Sequence, residues 1–401
     1  MIIKPMIRSN MCINAHPKGC ATDVKHQIAY VQKKRAERGT PADAPKTVLV
    51  LGCSTGYGLA SRITAAFGFG ATTIGVSFEK EGTDTPTPKS GTPGWYNNMA
   101  FDRYAKEAGL ESVTFNGDAF SHEMRKDVIE TLKKMGRKVD LMVYSVASGV
   151  RVDPDNGTLY RSVLKPIGKP FSGETIDCMT GKISTISAEP ANEEEAANTV
   201  KVMGGEDWAL WVHQLKDAGV LADNIKTVAY SYIGPALSHA IYRDGTIGGA
   251  KKHLEATARE LHAELQKDLN GEAYVSVNKG LVTRSSAVIP IIPLYLSVLF
   301  KVMKEQGSHE GCIEQIERLM NERLYTGNAV PTDENHLIRI DDLELDPKVQ
   351  EEVNKRLATI TQENFAQVGD LEGYRHDFLA TNGFDVEGVD YEADVESLAT
   401  I

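Results

Sequence analysis

From Lys46 onward, short runs rich in Val, Ile and Thr alternate with stretches whose apolar residues recur every three or four positions. The first pattern reads as strand and the second as amphipathic helix, and their alternation predicts a parallel sheet covered by helices. "KTVLVLG" is the first predicted strand and "GLASRITAAFG" its helix, followed by "ATTIGVSFE" and the helix "WYNNMAFDRYAKEAG". "ESVTFNGDA" and "KVDLMVYSVAS" are the third and fourth strands, with "HEMRKDVIETLKKMG" as a helix between them. "IKTVAYSYIG" is the fifth and "EAYVSVNKG" the sixth. Between these two, Ala250, Leu254, Ala258, Leu261, Leu265 and Leu269 form one helical stripe.

Residues 151 to about 225 interrupt the alternation and are rich in Gly, Pro, Thr and Glu. They predict an insertion over one end of the sheet, with Glu193 to Glu195 as a solvated helix start. After about Ser308 the pattern is helical and charged, and "LEGYRHDFLATNGFDVEG" reads as a docked tail. The apolar run "AVIPIIPLYLSVLF", from Ala287 to Phe300, carries two prolines and is shorter than the roughly 20 residues of a membrane span. It predicts a buried segment leading into a helix; it could also line an acyl pocket.

At the end of the first strand, "LVLGCSTGYGLASR" spaces Gly52, Gly56 and Gly58 as G-x3-G-x-G and runs into a helix. Glycines there allow a tight turn and close approach of backbone to a pyrophosphate, which the unpaired N–H groups of the helix start can hold. The turn and the strand–helix alternation together predict a Rossmann-type doubly wound α/β domain that binds a dinucleotide. That domain is expected to be single and elaborated over 1–401, with its core at about 45–150 and 226–300. The insertion covers about 151–225, and a helical C-terminal region about 301–401.

Glu79 ends the second strand 21 residues after Gly58, where a carboxylate would accept from ribose hydroxyls and repel a 2′-phosphate. Its charge favours NADH over NADPH, although Lys80 beside it could reach a phosphate. Asp118 and Ala119 close the third strand at the expected adenine edge, with Asp118 equally able to cap the following helix. Val146 and Ala147 end the fourth, near the expected nicotinamide-side ribose.

The chain has 401 residues, 41% hydrophobic and 25% charged, as in ordinary soluble domains. A net charge of −11 argues against a nucleic-acid surface and does nothing to attract anionic membranes. The five cysteines contain no CxxC pair, which fits a reducing compartment better than disulfides or zinc. His309 and Cys312 in "SHEGC" lack a second ligand pair, so no metal site is expected. "MIIKPMIRSN" does not read as a secretory signal, and a cytoplasmic protein is expected.

In "YRDGTIGGAKK", eight residues separate Tyr242 from Lys251. On one straight helix that separation would rise roughly 13.5 Å and turn them to opposite faces. Gly245, Gly248 and Gly249 are expected to break such a helix, leaving the lysine on a helix start and the tyrosine on a loop folded over it. Lys252, next in line, is either exposed or a contact to a cofactor phosphate. A phenol beside an ammonium suits reduction of a polarised double bond. Hydride arrival at the β-carbon of an unsaturated thioester builds negative charge on the thioester oxygen, and a preorganised donor stabilises it. An ordinary phenol stays protonated at neutral pH, and a nearby ammonium would strengthen it as a donor. The same features serve a carbonyl reductase or alcohol dehydrogenase. A dinucleotide-sensing regulator without catalysis would keep the glycine turn alone.

The usual Tyr-x3-Lys of short-chain dehydrogenases is replaced here by Tyr-x8-Lys, and "YSVAS" closes the fourth strand. With "AYSYIGP", "VNKGLVTRSSAVIPIIPLY" and the tail "GYRHDFLATNGFDVEG", the whole chain resembles the FabV-type enoyl reductases, also called trans-2-enoyl-CoA reductases. One departure is a few extra loop residues at Asp84 to Ser90. The resemblance implies an NADH-dependent enoyl-thioester reductase with Tyr242 as catalytic acid and Lys251 as its cofactor-binding partner. Tyr232 becomes a substrate contact, with core packing or an expected helix cap as the plainer roles for Tyr232 and Thr283. It implies a dinucleotide cradle of Gly52, Cys53, Ser54, Thr55, Gly56, Tyr57, Phe78, Glu79, Asp118, Ala119, Val146, Ala147, Leu281, Val282 and Thr283. The expected substrate is a short-chain enoyl-CoA, with enoyl-[acyl-carrier-protein] as the alternative, and a monomer is preferred.

Overall fold

The computed structural model describes residues 1–401 apart from 9, 284, 285, 287, 288 and 290. Seven parallel strands form the central sheet: β1 Thr47–Leu51, β2 Thr72–Ser77, β3 Ser112–Asn116, β4 Val139–Tyr144, β5 Leu221–Ser231, β6 Glu272–Val277 and β7 Leu337–Arg339. Their spatial order is β7-β6-β5-β4-β1-β2-β3. This is the doubly wound arrangement, which reverses direction between β1 and β4 and opens a crevice beyond their C-terminal ends. The Rossmann-type expectation holds.

The central strands read as unbroken apolar runs because both of their faces are covered. Val48, Val50, Leu141 and Val143 pack on one side against α1 (Pro17–Arg38), α2 (Gly56–Ile63) and α3 (Pro93–Glu107). Leu49, Leu51, Met142 and Tyr144 pack on the other, against α4 (His122–Met135), α6 (Glu206–Asp217) and α7 (Thr246–Leu269). The stripe foreseen for α7 is buried at Ala250, Leu254, Ala258, Leu261 and Leu265.

The stretch expected to be an insertion divides in two. Its first part holds two antiparallel hairpins, Val150–Val152 with Leu159–Arg161 and Phe171–Ile176 with Ile183–Ala188. The helix α5 (Glu193–Met203) begins in a capping box between Asn192 and Glu195, so the acidic run starts a helix as expected. The helix α6, in contrast, belongs to the sheet layer. Trp208 and Trp211 are fully buried, and the Trp208 indole N–H donates to Thr227 Oγ1 on β5 at 2.9 Å. Truncating either ring would cost about 3–5 kcal/mol.

β7 was not anticipated, since the pattern after Ser308 reads as helical; three residues are too few to show a period of two. It extends the sheet beyond β6 through the pair Val277 and Arg339. Helix α8 (Ile292–Glu305) anchors the C-terminal region, with α9 (Pro347–Ala358) and α10 (Leu371–Ala380) packed on it. Of the apolar run that leads into α8, Ala287, Val288 and Pro290 lie outside the described residues. The tail docks as expected: the His16 amide donates to Asn382 O at 2.9 Å and Asn382 Nδ2 donates to Asn14 O at 2.6 Å. The loop at Asp84 to Ser90 is tied to the same tail, because Asp84 accepts from the Leu398 amide at 2.6 Å. Among the described residues, no helix is long and apolar enough to cross a membrane.

Candidate active site

Beyond β1 the chain turns at Gly52, whose φ of +82° places it in the left-handed region, and an added Cβ would overlap the Ser145 carbonyl just past β4. Gly58, in the first turn of α2, lies so close to the Gly52 carbonyl that no side chain fits. Thr55 precedes α2 without a side-chain cap on its first amides. Those N–H groups are aimed at the mouth of the crevice, where an anionic pyrophosphate is favoured. Thr55 and Gly56 line a cavity of about 210 Å³ together with Leu281, Val282 and Thr283. Cys53 is buried behind the turn, and burial pushes its thiol up, away from thiolate character.

The remaining cradle residues ring the same turn. Ser54 donates to Glu79 Oε1 at 2.6 Å, and the Glu79 amide donates to Asn116 Oδ1 at 2.7 Å, which holds the acid beside the glycines. Phe78 is 79% exposed, with its ring presented at the rim. Lys80 is exposed. Asp118 accepts from the Phe120 amide at 2.9 Å, while Ser121, not Asp118, caps α4 through Met124 N. The carbonyl of Ala119 accepts from the Trp211 indole at 3.0 Å. Val146 and Ala147 follow β4 on the crevice side, half-buried and exposed respectively. Tyr57 donates to Lys279 O at 2.7 Å, which joins α2 to the loop after β6. On that loop Thr283 exchanges hydrogen bonds with Ser286, so it closes a local turn well before α8 begins.

Tyr242 and Lys251 both come to the C-terminal end of β5, each on its own partner. The Lys251 ammonium donates to Tyr230 O at 3.2 Å, and the Tyr242 ring meets the Tyr232 ring edge-on at 5.3 Å. Tyr230 and Tyr232 are two positions apart, so one strand end gathers both groups. Tyr242 sits in a turn before α7 as expected, but only Gly245 lies outside the helix; Gly248 and Gly249 are within its first turn. Gly248 works by close approach: an added Cβ would overlap the carbonyls of Tyr242 and Arg243. The turn is held back over the helix by Arg243, which bonds Glu255 at 2.6 Å, and by Thr246, which accepts from Lys165 N at 3.2 Å. Lys252 points away, exposed and 4.0 Å from Asp244.

Burial shapes the chemistry of this end. Tyr242 lies in an apolar cluster with Ile241 and Ile291, beside Leu164, Phe171 and Ile289. Burial pushes its phenol well above the usual range, so its hydroxyl stays protonated and is a hydrogen-bond donor at any physiological pH. The Lys251 ammonium is pushed down to about 8 by burial, opposed by Glu255. The expected strengthening of the phenol by the ammonium is not what shifts it, because that lysine's hydrogen bond goes to the strand backbone. Ile289 and Ile291 from the apolar run flank the tyrosine, while Tyr295 to Phe300 pack into the core.

Sequence reasoning missed one residue at this end. Glu344, fully buried, accepts from Tyr232 Oη at 3.1 Å, from Tyr295 Oη at 2.8 Å and from the Gly280 amide at 2.6 Å. Its only sequence signal is an acid within the charged C-terminal region, which is no signal at all.

Comparison with known proteins agrees with this geometry. The family model for the trans-2-enoyl-CoA reductase catalytic region matches residues 89–325, and that for the NAD(P)H binding domain of trans-2-enoyl-CoA reductase matches residues 2–84. The chain belongs to the trans-2-enoyl-CoA reductase family. A relative from Treponema denticola named trans-2-enoyl-CoA reductase [NADH] is 62% identical, with 99% of each chain covered. An enoyl-[acyl-carrier-protein] reductase [NADH] from Cytophaga hutchinsonii is 54% identical over 100% of this chain and 99% of its own. The crystal structure of the Treponema denticola trans-2-enoyl-CoA reductase in complex with NAD superposes with a TM-score of 0.96 at 61% identity, covering 100% of both chains. The resemblance read from the motifs, the NADH-dependent enoyl reductase chemistry and the fold are all borne out.

A third model, described as an enoyl reductase FAD binding domain, matches residues 332–395 of this trans-2-enoyl-CoA reductase family member. The described residues there form β7 and helices packed on α8, with no glycine turn between a strand and a helix. A flavin dinucleotide does not fit these residues, and no step is routed through one.

Proposed function

We propose that the chain reduces the trans-2 double bond of short-chain enoyl-CoA esters with NADH, crotonyl-CoA to butyryl-CoA being the type reaction. Tyr242 is its acid and Lys251 holds the nicotinamide-side ribose. The observation that carries the reading is the placement of Tyr242 against the Tyr232 ring and of Lys251 on the Tyr230 carbonyl, both at the end of β5. NADH supplies the hydride. The residues of the glycine turn bind the pyrophosphate through the α2 amides, and Glu79 accepts from the adenosine ribose and disfavours a 2′-phosphate.

Tyr242 donates a hydrogen bond to the thioester oxygen, where negative charge develops as hydride reaches the β-carbon, and the α-carbon then takes a proton from that phenol or from water. Its apolar surroundings keep water out and make that one hydrogen bond stronger than it would be in solvent. Below about pH 8 Lys251 is an ammonium, able to donate to a ribose hydroxyl while it keeps the Tyr230 carbonyl. Tyr232 orients the acyl group beside Tyr242, and Leu281, Val282 and Thr283 complete the cofactor side. CoA is favoured as carrier because an acidic chain of net charge −11 offers poor steering to an acidic carrier protein. A monomer in the cytoplasm is the working state.

The test is kcat/KM for crotonyl-CoA against the same acyl group on acyl carrier protein, with NADH, over a range of ionic strength. A higher value for crotonyl-CoA is expected. A large, salt-sensitive advantage for the carrier-linked substrate overturns the choice of carrier, and no turnover with either overturns the reading.

A further inference from the structure

Glu344 collects three hydrogen bonds from three separate parts of the chain. Tyr232 ends the β5 segment, Gly280 opens the loop that continues as Leu281, Val282 and Thr283, and Tyr295 lies on α8. Oε1 takes both phenols and Oε2 takes the amide, so every donor that faces the carboxylate is used. A carboxylate accepts from all three; an amide side chain keeps one oxygen and turns an N–H toward the phenols, which must then accept instead of donate. The Lys279 ammonium, also buried and 4.7 Å from the Phe300 ring centroid, contributes the compensating positive charge. A buried carboxylate with this much support is expensive to keep unless it orders something. What it orders is the edge-on contact between Tyr232 and Tyr242.

We propose that Glu344 is a positioning residue for the reduction, holding the Tyr232 hydroxyl and so fixing the Tyr232 ring as the wall against which Tyr242 is held. Through the Gly280 amide it ties that wall to the loop on the cofactor side. Glu344 itself follows β7 and thereby contributes to the site from the C-terminal side of the sheet's last strand. Glu344 does not touch the reacting atoms.

The experiment is a double-mutant cycle on the full chain, measuring kcat with saturating crotonyl-CoA and the dissociation constant of NADH. Glu344→Gln leaves an oxygen for the Gly280 amide but turns a donor toward the phenols. It is expected to lower kcat about tenfold, the order of one misdirected hydrogen bond to a charged group, with NADH affinity kept within about twofold. In a Tyr232→Phe background the same substitution is expected to lower kcat no further, because its effect passes through that hydroxyl. Equal losses in the two backgrounds, an unchanged kcat in Glu344→Gln, or a loss confined to NADH affinity would each overturn the proposal. Tyr295→Phe guards against a Glu344 variant that does not fold: its hydroxyl reaches the reaction only through Glu344, and a two- to fivefold lower kcat, roughly a partial loss of the same support, is expected. Wild-type kcat in Tyr295→Phe overturns the proposal by itself. The proposal rests on Tyr242 as acid, which is tested separately by wild-type turnover and its loss in Tyr242→Phe.

Discussion

Gly52, Gly56 and Gly58 lie within a single strand-to-helix turn, whereas Tyr232 and Glu344, at the other end of the same crevice, are 112 positions apart. The glycine turn of the dinucleotide end is made by one local conformation. A positive φ at Gly52 and a backbone crossing at Gly58 need no other part of the chain except the Ser145 carbonyl. The reducing end is made by packing: a turn at Tyr242, a helix at Lys251, the end of β5, the loop at Gly280 and a carboxylate from the C-terminal region. A site built locally tolerates change elsewhere, while one built by packing is sensitive to groups that never touch the substrate.

The largest effect should come from the hydroxyl at the centre of the reducing end. Tyr242→Phe is expected to retain NADH binding and lose on the order of 10²–10³ in kcat, measured with crotonyl-CoA. Near-native turnover would remove Tyr242 from the chemistry and leave the contrast without its second member.

The contrast itself is sharpened by two matched substitutions, Gly248→Ala and Gly58→Ala, each of which drives a methyl group into a backbone carbonyl. Gly248→Ala displaces the Tyr242 turn from α7 and should lower kcat by up to about 10², the order that follows a misplacement of about 1 Å. Gly58→Ala should instead weaken NADH binding, read by titration of the cofactor's fluorescence. If both substitutions change kcat and cofactor affinity in the same proportion, the two ends are not separately built.

A smaller effect follows from Lys251, whose ammonium burial lowers to about 8. A base loses its charge as pH rises, so kcat/KM should fall on the order of tenfold per pH unit above about 8 and stay level just below it. Lys251→Arg, which keeps its charge throughout, should remove that limb. A limb that survives in the variant belongs to another group, with Lys279, also lowered to about 8 by burial, as the first candidate.

The smallest effect is at the cofactor rim. Removing the charge of Glu79 with Glu79→Ala should narrow the preference for NADH over NADPH by about fivefold, the weight of one solvent-exposed charge at about 4 Å. Comparable wild-type use of both cofactors would show that the Ser54-bound carboxylate does not choose between them.

The sequence by itself determined six strands of the sheet and the dinucleotide turn. These are carried by short-range patterns: period-two and period-3.6 burial, and glycines where a backbone must bend or be approached. It also placed Phe78, Glu79, Asp118, Ala119, Val146 and Ala147 at strand ends, because a parallel sheet puts the ends of its strands at one crevice. Three matters were decided only by the tertiary structure. Gly248 and Gly249 are helical, because a long helix held by α7's buried stripe outweighs the poor propensity of two glycines in its first turn. The helix with Trp208 and Trp211 joins the sheet layer, because Trp208 bonds Thr227 of β5 and stacks on Tyr144 of β4, while Trp211 bonds the Ala119 carbonyl after β3. Glu344 reaches the site because α8, β6 and β7 pack so that three donors face one point. No periodicity along the chain encodes that meeting, since burial is a property of the folded whole and a carboxylate's partners are chosen by distance in space.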